Sequence, residues 1–121
     1  MERSRRFYCD LFKLEMLDGN ERFCALGVAG SHVLLLFKAG ESRVPVQLPG
    51  GLIPPHEASG QAHLGFAISR GELGEWQAIL ARHGVAIEST VVWPRGGTSL
   101  YFRDPDQHLL ELLTPGVWAL Y

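Results

Sequence analysis

The chain has 121 residues, of which 46% are hydrophobic and 20% charged, with 11 Lys and Arg against 13 Asp and Glu. That length supports one domain with a single core, and the composition is that of an ordinary globular protein. A net charge of -2 leaves no basic surplus, which argues against nucleic acid and anionic membrane as partners.

The first predicted element is a helix over residues 2–12, with Phe7, Tyr8, Leu11 and Phe12 on one face. Arg3, Arg5 and Arg6 are expected on its solvated side. No apolar leader opens the chain, and the apolar run at 33–37 is too short to span a bilayer. A cytoplasmic protein with Cys9 and Cys24 as buried free thiols is therefore expected. A strand at 14–17 and a turn at Asp18-Gly19-Asn20 should follow, then a hairpin of 22–28 and 32–38 around Ala29-Gly30-Ser31. Residues 39–60 carry Pro45, Pro49, Pro54 and Pro55 with several glycines and read as a connector without strand or helix, a lid or linker.

The second half reads as a strand at 62–69, a helix at 72–83 stopped by Gly84, a strand at 85–92, a loop at 93–97 and a closing hairpin. That hairpin spans residues 99–113 and turns at Asp104-Pro105-Asp106. Aligning it with the first-half hairpin sets His32 against His108 and Leu35 against Glu111 with the alternation in phase. The pattern is a duplicated βαβββ unit whose first copy lacks its opening strand. The equivalent of His63 in that copy falls a few residues before Met1, so either a strand precedes the chain as given or that position is lost; the former is expected. The expected layout is one α+β domain over 1–121: module one at 1–38, linker at 39–60, module two at 61–116.

Alternation assigns the faces. Leu64, Phe66, Ile68, Leu100, Phe102, Leu110 and Leu112 form the core face of module two. His63, Gly65, Ala67, Ser99, Tyr101, Arg103 and Glu111 form the opposite, polar face. The matching face of module one, Phe23, Ala25, Val33, Leu35 and Phe37, is apolar. Sheets curved into a cup with one polar and one oily wall have the composition of a small-molecule site. Glu111 stands between Leu109 and Leu113, where a carboxylate is costly to bury without a positive partner. Arg103 or Arg95 could pair with it. With His63 on the same face, imidazole nitrogen and carboxylate oxygen instead suit a divalent ion such as Zn, Mn, Fe or Ni. Tyr101 could donate to a substrate oxygen or cap the wall. His108 and His32 fall on the helix-facing side and read as structural, and His83 suits a helix C-terminus. His56 and Glu57 lie in the linker.

The run Ser99–Glu111, the segment Gln61–Phe66 and the helix Ser4–Phe12 together resemble the vicinal oxygen chelate superfamily of glyoxalases, bleomycin-resistance proteins and extradiol dioxygenases. The resemblance covers the whole chain. It implies two βαβββ modules in a half-open barrel around one metal that stabilises an oxyanion or enediolate of the substrate. Carried over by position, His63 and Glu111 are metal ligands and Tyr101, with Glu111, is catalytic. Trp93, Arg95, Arg103 and Phe37 contact substrate. Leu35 takes a ligand position without being a ligand. The resemblance further implies a homodimer.

Within the superfamily, residues 91–95 lack the histidine expected of a ring-cleaving dioxygenase, and Gln107 replaces a turn glycine. The oily wall disfavours a phosphonate ligand, and Leu35 departs from the glyoxalase pattern. The leading expectation is a divalent-metal lyase, dioxygenase or transferase acting on a small oxygenated molecule. The alternative is a metal-free protein that sequesters an aromatic drug by stacking on Trp93, Trp118 and the apolar wall.

Overall fold

The structure, a computed structural model, describes residues 1–121. The chain is α+β and divides into two compact units, Met1–Gly60 and Gln61–Tyr121. No helix is long and apolar enough to cross a membrane.

The first unit opens with α1 (Glu2–Phe12). Tyr8 and Leu11 are its buried apolar residues, while Phe7 and Phe12 are only partly covered; Phe7 meets Tyr8 and Phe12 edge-on, and Phe12 stacks on Tyr8. Glu2 accepts from Arg5 and Arg6 one turn on, and these bonds draw its carboxyl down to about 2. The helix ends at Lys13 in the left-handed region. Three antiparallel strands follow in the order β1 (Glu15–Gly19), β2 (Phe23–Val28) and β3 (His32–Phe37). The expected strand at 14–17 starts and ends later than the alternation suggested. A bulge between Met16 and Asp18 lets pairing continue through Gly19. The turn then moves to residues 20–22, where the Asn20 side-chain oxygen accepts the N–H groups of Arg22 and Phe23.

The connector is not strandless as expected. It holds the antiparallel hairpin β4 (Val46–Leu48) and β5 (Gly51–Ile53). Pro49 and Gly50 form the turn between these strands, so the proline punctuates the hairpin without interrupting either strand. Glu57 ties the base of this segment by accepting from the Gly40 and Ser42 N–H groups. His56 packs its ring 4.4 Å from that of Phe37. Cys24 is buried, whereas Cys9 is only partly so, contrary to the expectation for both; both thiols are free.

The second unit carries a four-stranded sheet in the order β6-β9-β8-β7. β6 (His63–Ala67) runs parallel to β9 (Leu109–Leu113), which is antiparallel to β8 (Thr98–Arg103), itself antiparallel to β7 (Ser89–Val92). A 3-10 turn at Arg70–Glu72 leads into α2 (Leu73–Arg82), so the expected helix begins one turn tighter. Ser69 and Glu72 cap it reciprocally, and Gly84 ends it with φ +67°. The strand expected over 85–92 is reduced to its last four residues, because the only backbone hydrogen bond from residues 85–88 to β8 is that of the Glu88 N–H on the Tyr101 carbonyl.

The core face is the one the alternation assigns. Leu100, Phe102, Leu110 and Leu112 are fully buried, as is Leu80 of α2, and Ile68 is nearly so. The repeat shows in the ladders as well. Ala25 faces Leu35 across β2 and β3 just as Tyr101 faces Glu111 across β8 and β9. The turns agree too: the Ser31 N–H bonds to Val28 in one hairpin and the Gln107 N–H to Asp104 in the other. The sheets differ in one respect. In the second unit β6 lies beside β9, while β3, its counterpart, is an edge strand.

Candidate active site

The β8–β9 hairpin is set by its turn. Asp104 Oδ1 accepts the N–H groups of Asp106 and His108, both at 2.9 Å, and Gln107 takes the left-handed conformation at φ 69°. His108 Nδ1 then accepts the Ala62 N–H at 2.8 Å, and the Leu109 N–H donates to the Ala62 carbonyl. These bonds place β6 against β9 so that Gly65 lies level with Glu111, and Glu111 in turn level with Tyr101. At Gly65 the space is narrow. A Cβ there would sit 3.3 Å from the Leu113 side chain and 3.9 Å from Glu111 Oε2.

Glu111 is 8% exposed, and both its oxygens are engaged. Oε2 lies 3.1 Å from His63 Nε2. Oε1 accepts from Ser99 Oγ at 2.5 Å and from the Tyr101 hydroxyl at 3.0 Å. The indole N–H of Trp93 donates to Ser99 Oγ at 2.8 Å. The His63 and Tyr101 rings stand 6.0 Å apart, and the His63 side chain is half exposed. Burial pushes the Tyr101 phenol above its ordinary range. The Glu111 carboxylate adds to that and Ser99 opposes it.

His63, Tyr101 and Glu111 are thus brought together, and no arginine reaches Glu111. Arg103, read from the sequence as a substrate contact or a partner for Glu111, is held by Glu88 at 2.8 and 3.2 Å and by the Gln107 carbonyl at 3.1 Å. The guanidinium holds the Glu88 carboxyl below the usual range. Arg95 is exposed and makes no side-chain hydrogen bond or ion pair. Trp93 is half-buried, with its N–H already committed to Ser99. Phe37 lies in the other unit, on an open apolar face with Val33 and Leu35. The residue that sequence reading left without a role is Ser99, fully buried beneath Glu111. The available signal was its place two residues before Tyr101 on the polar face.

A family model for the glyoxalase/bleomycin resistance protein/dioxygenase superfamily matches residues 1–112. The chain is 30% identical over 116 residues to catechol-2,3-dioxygenase of Bacillus subtilis (strain 168), covering 93% of its own length and 36% of that protein's, so it spans about a third of this relative. Among solved structures it resembles a lactoylglutathione lyase from Agrobacterium tumefaciens, with TM-score 0.87 and 29% identity, over 98% of this chain and 87% of the other. It also shares its fold with the fosfomycin resistance protein FosX from Listeria monocytogenes, at TM-score 0.69 and 19% identity, over 97% and 85% of the two chains. The chain belongs to the glyoxalase/bleomycin resistance protein/dioxygenase superfamily.

Members of this superfamily usually use a divalent metal, so the donor set can be tested against one. No group of three or more His, Cys, Asp and Glu side chains is gathered closely enough to hold an ion. His63 and Glu111 nevertheless fit as a pair. Two ligands roughly 2.1 Å from one ion stand about 3.0 Å apart at right angles and about 3.4 Å apart at a tetrahedral angle, a range that includes the 3.1 Å between Nε2 and Oε2. His63 and Glu111 are thus the two side chains here that could serve as ligands to one ion.

Proposed function

We propose that the polar face of the second unit is the active site of a divalent-metal enzyme acting on a small oxygenated organic molecule. His63 and Glu111 hold the ion, which is Zn, Mn, Fe or Ni. The observation that carries this reading is the approach of His63 Nε2 to Glu111 Oε2 at the separation of neighbouring metal ligands. When bound, such an ion supplies a Lewis acid that polarises substrate oxygens. The remaining roles belong to the chain. Glu111, anchored from below by Ser99 and Tyr101, keeps its charge aimed at His63. Tyr101 keeps its proton and can turn its O–H from Glu111 to a substrate oxygen. Arg95, with no partner of its own, is the cation available to an anionic substrate group. The reaction is that of a lyase, dioxygenase or transferase, the first two being the classes in the relatives' names. A homodimer belongs to the same reading, supported by the open sheet edges at β1 and β3.

A second reading has its own observation. Val33, Leu35 and Phe37 expose 53%, 49% and 44% of their surface on one sheet face, which suits metal-free sequestration of an aromatic compound. Metal analysis separates the two. The chain, loaded in turn with Zn, Mn, Fe and Ni and then desalted, is expected to retain stoichiometric metal that His63→Ala loses. Failure to retain any of these ions, with aromatic ligands binding equally well in chelator, would replace the first reading with the second.

A further inference from the structure

The hydrogen bonds beneath Glu111 have a direction that the residue types dictate. An indole nitrogen can only donate, so Ser99 Oγ must accept from Trp93. A serine hydroxyl has one proton. With its oxygen accepting from Trp93, that proton goes to Glu111 Oε1 at 2.5 Å. Ser99 also lies near the Tyr101 hydroxyl, but the short charge-assisted contact to the carboxylate wins. Tyr101 therefore also donates to Oε1. Two donors fill the two lone-pair positions of Oε1, and Oε2 alone is left for His63.

From this polarity we infer that Trp93 and Ser99 are positioning residues. They turn the Glu111 carboxylate edge-on and restrict it to single-oxygen binding through Oε2. The inference rests on the reading of His63 and Glu111 as the metal pair, and it deepens that reading with two residues that act through Glu111. Trp93, whose ring would otherwise read as an apolar contact for a ligand, works here through its N–H. The 0% exposure of Ser99 keeps water from replacing its hydroxyl, so the relay has no solvent substitute.

The test compares Ser99→Ala, Ser99→Thr and Trp93→Phe in the full chain, with two readouts. The first is Zn2+ affinity by competition with a chromophoric chelator. Ser99→Ala is expected to lose about 10- to 100-fold, the usual effect of removing a group that orients a ligand, while Ser99→Thr, which keeps the hydroxyl, stays within about threefold of wild type. The second is NMR at fixed pH without metal. The Trp93 indole proton should be shifted downfield and protected from exchange in wild type and Ser99→Thr, and lose both in Ser99→Ala. The His63 Nε2 resonance should move in Ser99→Ala and Trp93→Phe. An unchanged His63 resonance in Ser99→Ala overturns the inference, as does wild-type Zn2+ affinity in that variant. If the wild-type chain binds no Zn2+, the metal reading fails and the NMR arm alone decides whether Ser99 and Trp93 orient Glu111.

Discussion

Replacing Glu111 separates what the carboxylate does for the fold from what it does for the site. In Glu111→Gln the amide oxygen can take the place of Oε1 and accept from Ser99 and Tyr101, while the amide N–H₂ faces His63 Nε2 and donates to it. Every hydrogen bond is kept, but three charge-assisted contacts become neutral ones at a cost of about 1 kcal/mol each. Part of that is recovered because a charge 8% exposed no longer has to be buried. The net loss should be about 1–2 kcal/mol, or roughly 3–10 °C in Tm for a chain of this size. In Glu111→Ala the buried Ser99 hydroxyl loses its acceptor and a cavity opens between Leu109 and Leu113, so the loss should reach about 3–5 kcal/mol. Urea unfolding of the three proteins, with Zn2+ retention measured alongside, checks both halves. Glu111→Gln should lose clearly less stability than Glu111→Ala yet retain no Zn2+. Equal destabilisation by Gln and Ala, or full Zn2+ retention by the Gln variant, would refute the reasoning.

Three further outcomes follow from other parts of the chain. Gly97 and Gly116 touch back to back, and a Cβ on Gly97 would lie 2.5 Å from the Gly116 carbonyl carbon; Gly97→Ala should cost about 2 kcal/mol or more, read by thermal unfolding. His108→Ala removes the acceptor of the Ala62 N–H, so that amide should exchange faster by hydrogen-exchange NMR while the β7–β8 amides do not. The Gly40 N–H, and after it the Ser42 N–H, depress the Glu57 carboxyl, so its folded pKa lies below its unfolded value. The stabilisation is therefore present above the ordinary carboxylate range and lost as pH falls through the depressed value. Exchange of the Gly40 and Ser42 amides, followed against pH, should accelerate only below that range, and Glu57→Gln should flatten the profile.

Much of the fold was legible because alternation is a strong signal where one face of a strand is buried. Leu100, Phe102, Leu110 and Leu112 show it without interruption, and the same rhythm in residues 22–38 exposed the repeat. The β4–β5 hairpin was not legible, since three-residue strands bounded by prolines carry too little pattern to distinguish from a loop. The bulge at Met16–Asp18 was missed for a related reason: an extra residue breaks the period that locates a strand end. At the site, spacing put His63, Tyr101 and Glu111 on one face; the ladder sets Tyr101 level with Glu111 and His63 two residues along, level with Leu109. The partnership of Arg103 with Glu88 depended on where β7 begins, and the strand expected over 85–92 placed that start too early. The role of Ser99 depended on an indole six residues away folding back over it, which no period encodes.

The central claim is that His63 and Glu111 share one ion. Crystals of the full chain grown with Zn2+ and measured at the zinc absorption edge test it most directly. The account predicts an anomalous peak within about 2.1 Å of both His63 Nε2 and Glu111 Oε2, with Ser99 and Tyr101 still on Oε1. A zinc-loaded crystal with no peak there, and the imidazole still hydrogen-bonded to the carboxylate, would contradict it.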